Sequence, residues 1–329
     1  MKDHLKATTT RNERSRVNRY RLMSADRKFA QVITSLDPAA RLIETRKLSG
    51  GISAEMTAIR YGDSQSESTI VVRRHSEKSF AENPEIAEFE FKVLQFMQQA
   101  GLPVPHPHHL DMTGQIFKRP YAVLSLLDGD AIYAPEDKNL FAQKLAEMLL
   151  VIHGVEGDAD LLPDQKKRLD KDLAKIKEKW DESIDEETIR SKLKEIWPTV
   201  KPNESKVLHG DFWPGNVIWR DGEISGVLDW EECELGDPLL EIAITRFDLL
   251  CICGQECMES FTRTYLTQSQ IDASNLPVYD LFAALRPAGR LGEWARGWRE
   301  LGREDICEQD LLECHKEFRD QALKSVSYT

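Results

Sequence analysis

Asp211, Asn216 and Asp229 are oxygen-bearing side chains on what reads as a short, well-defined piece of backbone. They fall in Leu208-His209-Gly210-Asp211-Phe212-Trp213-Pro214-Gly215-Asn216 and in its sequel Val227-Leu228-Asp229-Trp230. Val207 and Leu208 are β-formers, and Gly210, Pro214 and Gly215 break the chain after them. Asn216–Arg220 then reads as a strand, Asp221-Gly222 as a two-residue hairpin turn, and Glu223–Leu228 as the returning strand. With that loop, Arg220 pairs with Glu223 and Asn216 with Val227. Asp229 then lies diagonal to Asn216 on the same face, roughly 7–8 Å away between Cα atoms. Two such side chains can share one divalent cation, and Mg²⁺ suits a site with few protein oxygens completed by water and phosphate. Asp211, at the loop tip, is placed to act on a substrate.

The elements that position this stretch can be read on either side of it. Residues 1–25 carry Lys2, Lys6, Arg11, Arg14, Arg16, Arg19 and Arg21 among few apolar residues, the composition of a disordered basic arm. A helix is expected over Asp26–Leu36, and strands over Arg41–Lys47, Ala54–Tyr61 and Thr69–Arg74, with a turn at Leu48-Ser49-Gly50-Gly51-Ile52-Ser53. A helix follows from Pro84 to Ala100 and stops at Gly101. Along it Ile86, Glu90, Val93 and Met97 share one face, so Glu90 falls in an inward register. A carboxylate there needs a basic partner, and the third strand offers Arg73 and Arg74. Gln115–Phe117 and Tyr121–Leu127 read as two more strands. Beyond Leu127-Asp128-Gly129 the chain turns helical, with helices expected at Lys138–His153, Gln165–Trp180, Glu186–Trp197, Pro238–Cys253, Glu256–Leu266, Val278–Gly289, Leu291–Leu301 and Gln309–Leu323. The expected division is an arm over 1–25, a β-rich lobe over 26–127 and a mostly helical lobe over 128–329, an α+β chain.

Composition narrows the function classes. The chain has 329 residues, 41% hydrophobic and 30% charged, enough for two lobes with proper cores. A net charge of −12 argues against nucleic acid as the main partner. No run of eighteen apolar residues exists, which argues against a membrane span, and the N-terminus lacks the apolar stretch of a secretory signal. The six cysteines, all in the C-terminal third, form no Cys-x-x-Cys pair and read as free thiols packed as small hydrophobes, in keeping with a cytoplasmic protein. His106-Pro107-His108-His109, flanked by Pro103 and Pro105, reads as an exposed extended connection rather than a metal site. Glu231, Glu232 and Glu234 offer an acidic lining for an amine-bearing ligand, or simply a solvated loop. Trp294 and Trp298, one helical turn apart, read as core packing or as an aromatic wall.

Asp211-x-x-x-x-Asn216 followed by a strand-ending Asp229 matches the catalytic loop and metal-binding Asp of kinases. With His209-Gly210-Asp211, Leu228-Asp229-Trp230-Glu231 and Leu235-Gly236-Asp237-Pro238-x-x-Glu241-Ile242-Ala243, the chain resembles the aminoglycoside phosphotransferase/choline kinase-like family. Leu48-Ser49-Gly50-Gly51, Val71-Val72-Arg73, Glu90, Leu102-Pro103-Val104-Pro105 and Leu149-x-x-Ile152-His153 add to the likeness, which covers roughly Leu42 to Leu250. The resemblance implies a bilobal, protein-kinase-like fold and transfer of a γ-phosphoryl from ATP or GTP to a hydroxyl of a small molecule. It implies that Asp211 accepts or orients the hydroxyl proton, as an orienter more than a strong base, that Asn216 and Asp229 hold Mg²⁺, and that Arg73, steadied by Glu90, contacts the phosphates. Gly50, Gly51 and Ser53 would cover the phosphates with backbone N–H groups, and the backbone from Ser125 to Leu127 would meet the nucleobase. His209 and Asp237 would brace the catalytic loop.

Three departures set the chain apart from protein kinases. Arg73 stands where they use Lys, the turn at Gly50-Gly51 is not Gly-x-Gly-x-x-Gly, and Trp230-Glu231 replaces Phe-Gly with no Ala-Pro-Glu after it. Within the family, Glu241 stands where Asp is usual. The alternative reading is a kinase-like nucleotide-binding module without turnover. The acceptor, whether amine-bearing like an aminoglycoside, choline or an amino sugar, the choice of ATP or GTP, and the oligomeric state are left open.

Overall fold

The structure is a computed structural model, which describes residues 26–48, 53–63 and 65–326. The basic arm and Gly50-Gly51 therefore lie outside the described residues. The chain divides into two compact units: the first comprises residues up to 91 with 106–126, the second residues 92–105 with those from 127 onward.

The first unit opens with helix α1, residues 26–36. It continues with β1 (Arg41–Lys47), β2 (Ala54–Gly62), β3 (Glu67–His75), α2 (Glu77–Glu82), the start of α3 (Ile86–Gln99), β4 (Pro107–Asp111) and β5 (Tyr121–Ser125). The five strands form one antiparallel sheet in the order β1-β2-β3-β5-β4. β-Branched Ile70, Val71 and Val72 suit the central β3, which pairs on both sides. A core of Phe29, Val32, Ile33, Ile59, Ile70, Val72, Phe117, Tyr121 and Val123 joins α1 to one face of this sheet.

Two expectations are corrected here. Gln115–Phe117 forms no strand; Phe117 is buried in the core from a bend beside Gly114. The segment carrying His106–His109 is not a free connection, because Pro107–Asp111 is the edge strand β4. Proline is tolerated there since an edge strand leaves backbone groups unpaired, and the register shifts between Pro107 and His109. α2 was not legible in the sequence; Ser76 caps it by accepting from the Ser79 N–H.

The second unit holds the rest of α3, then β6 (Asp130–Ala131), α4 (Lys138–His153), α5 (Gln165–Leu173), α6 (Glu186–Ile196), β7 (Lys206–Leu208), β8 (Val217–Arg220), β9 (Glu223–Val227), β10 (Glu234–Gly236), α7 (Pro238–Cys253), α8 (Gln255–Gln268), α9 (Leu276–Ala283), α10 (Leu291–Glu300) and α11 (Glu308–Val326). β10 pairs with β7, and β6, β8 and β9 form a small separate sheet. α5 stops at Leu173, well short of the expected Trp180. α7 is buried on nearly every side, its apolar residues in the core and its few polar ones, Glu241, Thr245 and Arg246 among them, hydrogen-bonded inside it. Asp237 caps it by accepting from the Leu239 N–H, with Pro238 in the first turn.

The cysteines divide. Cys251 on α7 and Cys314 on α11 are joined by a disulfide, which corrects the expectation that all six thiols are free. Cys233, Cys253 and Cys257 are free and buried, as small hydrophobes are, and Cys307 is exposed. No described helix is long and apolar enough to cross a membrane.

Candidate active site

The stretch around Asp211 folds as strand, loop and hairpin, with one change of register. Asp221 and Gly222 both take positive φ, 52° and 80°, as the tight hairpin turn requires, and Arg220 pairs with Glu223. The register then shifts between Ile218 and Trp219, so Ser225 is a bulge residue and Val217, not Asn216, pairs with Val227. Asn216 closes a short 3-10 turn, Pro214–Asn216, rather than starting the strand. Its carbonyl accepts the Leu228 N–H at 2.8 Å, which brings it beside the residue preceding Asp229. Asp229 follows β9 in the left-handed conformation, φ 65° and ψ 62°. That backbone is uncommon for a residue with a Cβ and recurs at functional sites.

The loop bearing Asp211 is held from several directions. Gly210 has φ +89°, and a Cβ there would lie 2.1 Å from the Glu232 carbonyl oxygen, so only glycine fits. His209 is fully buried; its Nε2 lies 2.7 Å from the Leu228 carbonyl and its Nδ1 accepts the Asp211 N–H at 3.2 Å. That pattern requires the proton on Nε2, so His209 stitches the loop to the end of β9 as a neutral ring. Asn216 turns its Nδ2 onto the Asp211 carbonyl at 2.9 Å and the Asp211 Oδ2 at 3.3 Å, leaving its Oδ1 to serve as an acceptor or ligand.

α7 supplies the remaining support from one face. Glu241, fully buried, accepts the His209 N–H at 3.0 Å and the Gly210 N–H at 2.7 Å. Its Oε2 also meets His153 Nε2 at 2.8 Å, and His153 Nδ1 meets the Tyr265 hydroxyl at 2.6 Å. One turn on, the Thr245 hydroxyl donates to the Phe212 carbonyl at 2.8 Å. The longer carboxylate at 241 thus grips the loop itself. Asp237 makes its bonds elsewhere, to the N–H groups of Asn203 and Leu239 and to the Tyr279 hydroxyl. The bracing expected of Asp237 falls to Glu241, one helical turn further on.

Arg286 is the residue that the sequence reading missed. It lies in the turns after α9, and its guanidinium forms an ion pair with Asp211 Oδ1 and another with Asp248 Oδ2 at 3.0 Å. Burial pushes the Asp248 carboxyl up to about 6, against the pull of Arg286. No motif marks Arg286; it is 75 residues from Asp211, and only the packing of the helices brings it there. Trp294 lies beside the same guanidinium, 5.7 Å from its ring centre, while Trp298 is buried against Trp213 and Tyr133. Of the acidic run, Glu234 is buried and clamped by Arg168 at 2.6 and 2.7 Å, so it lines no open pocket. Glu232 is exposed.

In the first unit Arg73 Nε donates to Glu90 Oε2 at 2.7 Å, and both side chains are 4% exposed. Of the two expected partners it is Arg73 that turns inward; Arg74 pairs with Glu55 on the other side of the sheet. His75 adds a second contact to Glu90 at 3.1 Å. Burial alone would raise the Glu90 carboxyl, but Arg73 and His75 outweigh it and hold it down at about 2. Ser53 accepts the Ser76 N–H at 2.6 Å through its carbonyl, which ties the end of the Gly50-Gly51 turn to the cap of α2. Ser125 ends β5, bonded both ways to His106, and in the second unit the Leu127 side chain covers Gly226.

An α+β chain with a five-stranded antiparallel sheet, a largely helical second unit and an Asp–Asn–Asp loop and hairpin has the protein-kinase-like fold. Solved structures share it. APH(2'')-IIia in complex with GDP and kanamycin matches with TM-score 0.60 and 16% identity, over 88% of this chain and 98% of that one. Amicoumacin kinase hAmiN in complex with AMP-PNP and Ca²⁺ matches with TM-score 0.58 and 14% identity, over 88% and 93%. The model of the phosphotransferase enzyme family matches residues 44–282, and the chain belongs to that family. Among curated proteins it is 25% identical over 202 residues to mouse acyl-CoA dehydrogenase family member 10, covering 56% of this chain and 18% of that protein. It is 33% identical over 70 residues to hygromycin-B 4-O-kinase of Escherichia coli, covering 21% of this chain and 20% of the kinase. The matched segments thus span about a fifth of each relative.

Proposed function

We propose that this protein is a small-molecule kinase, transferring the γ-phosphoryl of ATP or GTP to an alcohol hydroxyl. The observation that carries the reading is the loop at Asp211. Its carboxylate is only partly buried, its backbone is fixed by His209, Glu241 and Thr245, and Asn216 and Asp229 follow on the adjoining hairpin. Family membership and the GDP and AMP-PNP complexes of structural neighbours support a nucleotide donor.

In this reading the acceptor oxygen forms a bond to the γ-phosphorus as the bond from that phosphorus to the β,γ-bridging oxygen breaks. The nucleoside diphosphate leaves with the electron pair. Asp211 orients the hydroxyl and takes its proton, and alignment supplies most of the rate because the transition state is loose and highly charged. The donor set, an amide Oδ1 and a carboxylate, is the hard-oxygen kind that Mg²⁺ takes, so Asn216 and Asp229 would hold it. Bound there, the ion would neutralise charge on the phosphate oxygens. Arg73, oriented by Glu90, is assigned to the phosphates, where a fork of N–H groups suits bidentate contact. Gly50, Gly51 and Ser53 are assigned to the phosphate-covering turn, and the backbone of Ser125–Leu127 to the nucleobase. The nucleotide-binding lobe is assigned to residues 26–127 and the catalytic and acceptor-binding lobe to 128–329, with 92–105 clustering with the second unit. The compartment proposed is the cytoplasm, where a nucleoside triphosphate donor is available. The acceptor class proposed is a small, amine-bearing alcohol, supported by similarity to a protein solved with kanamycin and to one named for hygromycin B.

The test is a screen of aminoglycosides, choline and amino sugars with ATP or GTP and Mg²⁺, read as nucleoside diphosphate release. Wild-type protein is expected to turn over, and Asp211→Asn to lose that turnover while still binding nucleotide. Undiminished turnover in Asp211→Asn would refute the assignment. Nucleotide binding by wild type without turnover would instead favour a binding module.

A further inference from the structure

Arg286 stands at the end of a chain of supports that runs along one face of α7. Glu241, Thr245 and Asp248 are spaced by four and three residues, the spacing that stacks side chains on one helical face. Each reaches the catalytic loop at a different point. Glu241 takes the N–H groups of His209 and Gly210, and Thr245 takes the carbonyl of Phe212. Asp248 reaches the loop only through Arg286, whose Nη1 it accepts at 3.0 Å while Nη2 meets Asp211 Oδ1. The first two contacts fix the backbone of the loop. Neither fixes the Asp211 side chain.

We propose that Arg286 is a positioning residue for phosphoryl transfer, locking the Asp211 carboxylate to α7 by way of Asp248. This rests on the reading of Asp211 as the residue that orients the acceptor hydroxyl. A carboxylate on a loop tip can rotate, and each wrong orientation is lost to the reaction. With Oδ1 held by Arg286, rotation stops, and Oδ2, beside the Asn216 amide at 3.3 Å, is the oxygen presented to the hydroxyl. The same charge keeps Asp211 compatible with its neighbour. Asp211 and Asp248 pair with one guanidinium from separate elements, Glu232 adds a third carboxylate near it, and without the cation they would repel.

The geometry requires arginine. Two terminal nitrogens of one planar group serve two carboxylates, and the plane is steadied by Trp294, 5.7 Å from the guanidinium carbon. A lysine ammonium is a single point on a flexible stem and cannot keep both contacts in the same fixed plane. Pro287 follows Arg286, and the Arg286 N–H donates to the Ala283 carbonyl at 3.1 Å, so the backbone that launches the side chain is itself restrained.

The experiment compares Arg286→Ala, Arg286→Lys and Asp211→Asn with wild type in Mg²⁺-dependent nucleotide turnover, measured with and without added guanidinium chloride at tens of millimolar. Melting curves are taken on each variant to verify folding. Arg286→Ala is expected to lower kcat by about 10²-fold, the scale of a misplaced reacting group, with the nucleotide KM little changed. Guanidinium is expected to restore part of that loss, and Arg286→Lys to remain well below wild type. An Arg286→Ala protein that folds and keeps wild-type kcat overturns the proposal. So does a loss confined to KM, or a kcat loss that Lys repairs fully and guanidinium does not touch. Turnover that persists in Asp211→Asn is a separate failure, of the catalytic assignment itself, as is a wild-type protein with no turnover.

Discussion

Arg73 and Arg286 each meet a carboxylate within one compact unit, but in opposite surroundings. Arg73 and Glu90 are both 4% exposed, and a second contact from His75 leaves Glu90 surrounded by donors. Arg286 is 25% exposed and divides itself between Asp211, 28% exposed, and Asp248, 12% exposed. In the first unit Arg73 and His75 both contact Glu90; in the second, Asp211 and Asp248 both contact Arg286. The first arrangement makes Glu90 a stronger acid, down to about 2, and the second leaves Asp248 a weaker one, up to about 6.

The largest effect expected from breaking this contrast is on stability in the first unit. Glu90→Ala leaves Arg73 buried without its carboxylate, and removing one partner of a buried pair costs about 3–5 kcal/mol. Urea denaturation at pH 7 measures it. Glu90→Gln, which keeps an acceptor for the Arg73 N–H, is expected to cost less. A Glu90→Ala protein as stable as wild type would show that the burial of Arg73 is relieved by movement, and the contrast would dissolve.

The two carboxylates also predict pH slopes of opposite sign. Glu90 is lowered from its ordinary 4.5, so its contribution is complete above 4.5 and is lost as the pH falls toward 2. Asp248 is raised from 3.8, so between 3.8 and about 6 the folded protein holds a proton that the unfolded chain has released. Its contribution is therefore lost as the pH rises through that window, by at most roughly 1.4 kcal/mol per pH unit. Asp248→Asn removes this slope. Relative to wild type, the variant is expected to gain stability steadily from pH 4 to 6.5 in urea melts. Parallel wild-type and variant curves would mean that Asp248 is not held protonated by burial.

These differences track what the sequence could reveal. Glu90 is legible because local rules place it: a 3.6-residue period puts it on the buried face of α3, and a buried carboxylate demands a basic partner. The same rules resolve most elements, including α4 and α7 to the residue, because apolar periodicity and caps act over short distances. The Asp211–Asn216–Asp229 stretch is legible as a motif, yet its register is off by one, since the bulge at Ser225 leaves no compositional mark. Phe117 was read as strand from its neighbours, but tertiary burial in the core decides its place. Arg286, the Cys251–Cys314 bond and the reach of Glu241 to the loop depend on how α7, α9 and α11 pack, and no local pattern carries that.

The smallest expected effect is the most discriminating. If Arg286 serves chemistry rather than architecture, removing it should hardly affect folding. At pH 5 burial keeps Asp248 largely protonated, so Arg286→Ala leaves no bare buried charge there. What remains to be lost is the partly exposed pair with Asp211, worth about 1 kcal/mol or less. Melting at pH 5 should therefore place Arg286→Ala close to wild type and far above Glu90→Ala. A loss at pH 5 as large as that of Glu90→Ala would mean that Arg286 carries as much of the fold as the Arg73–Glu90 pair, and the two pairs would differ only in exposure.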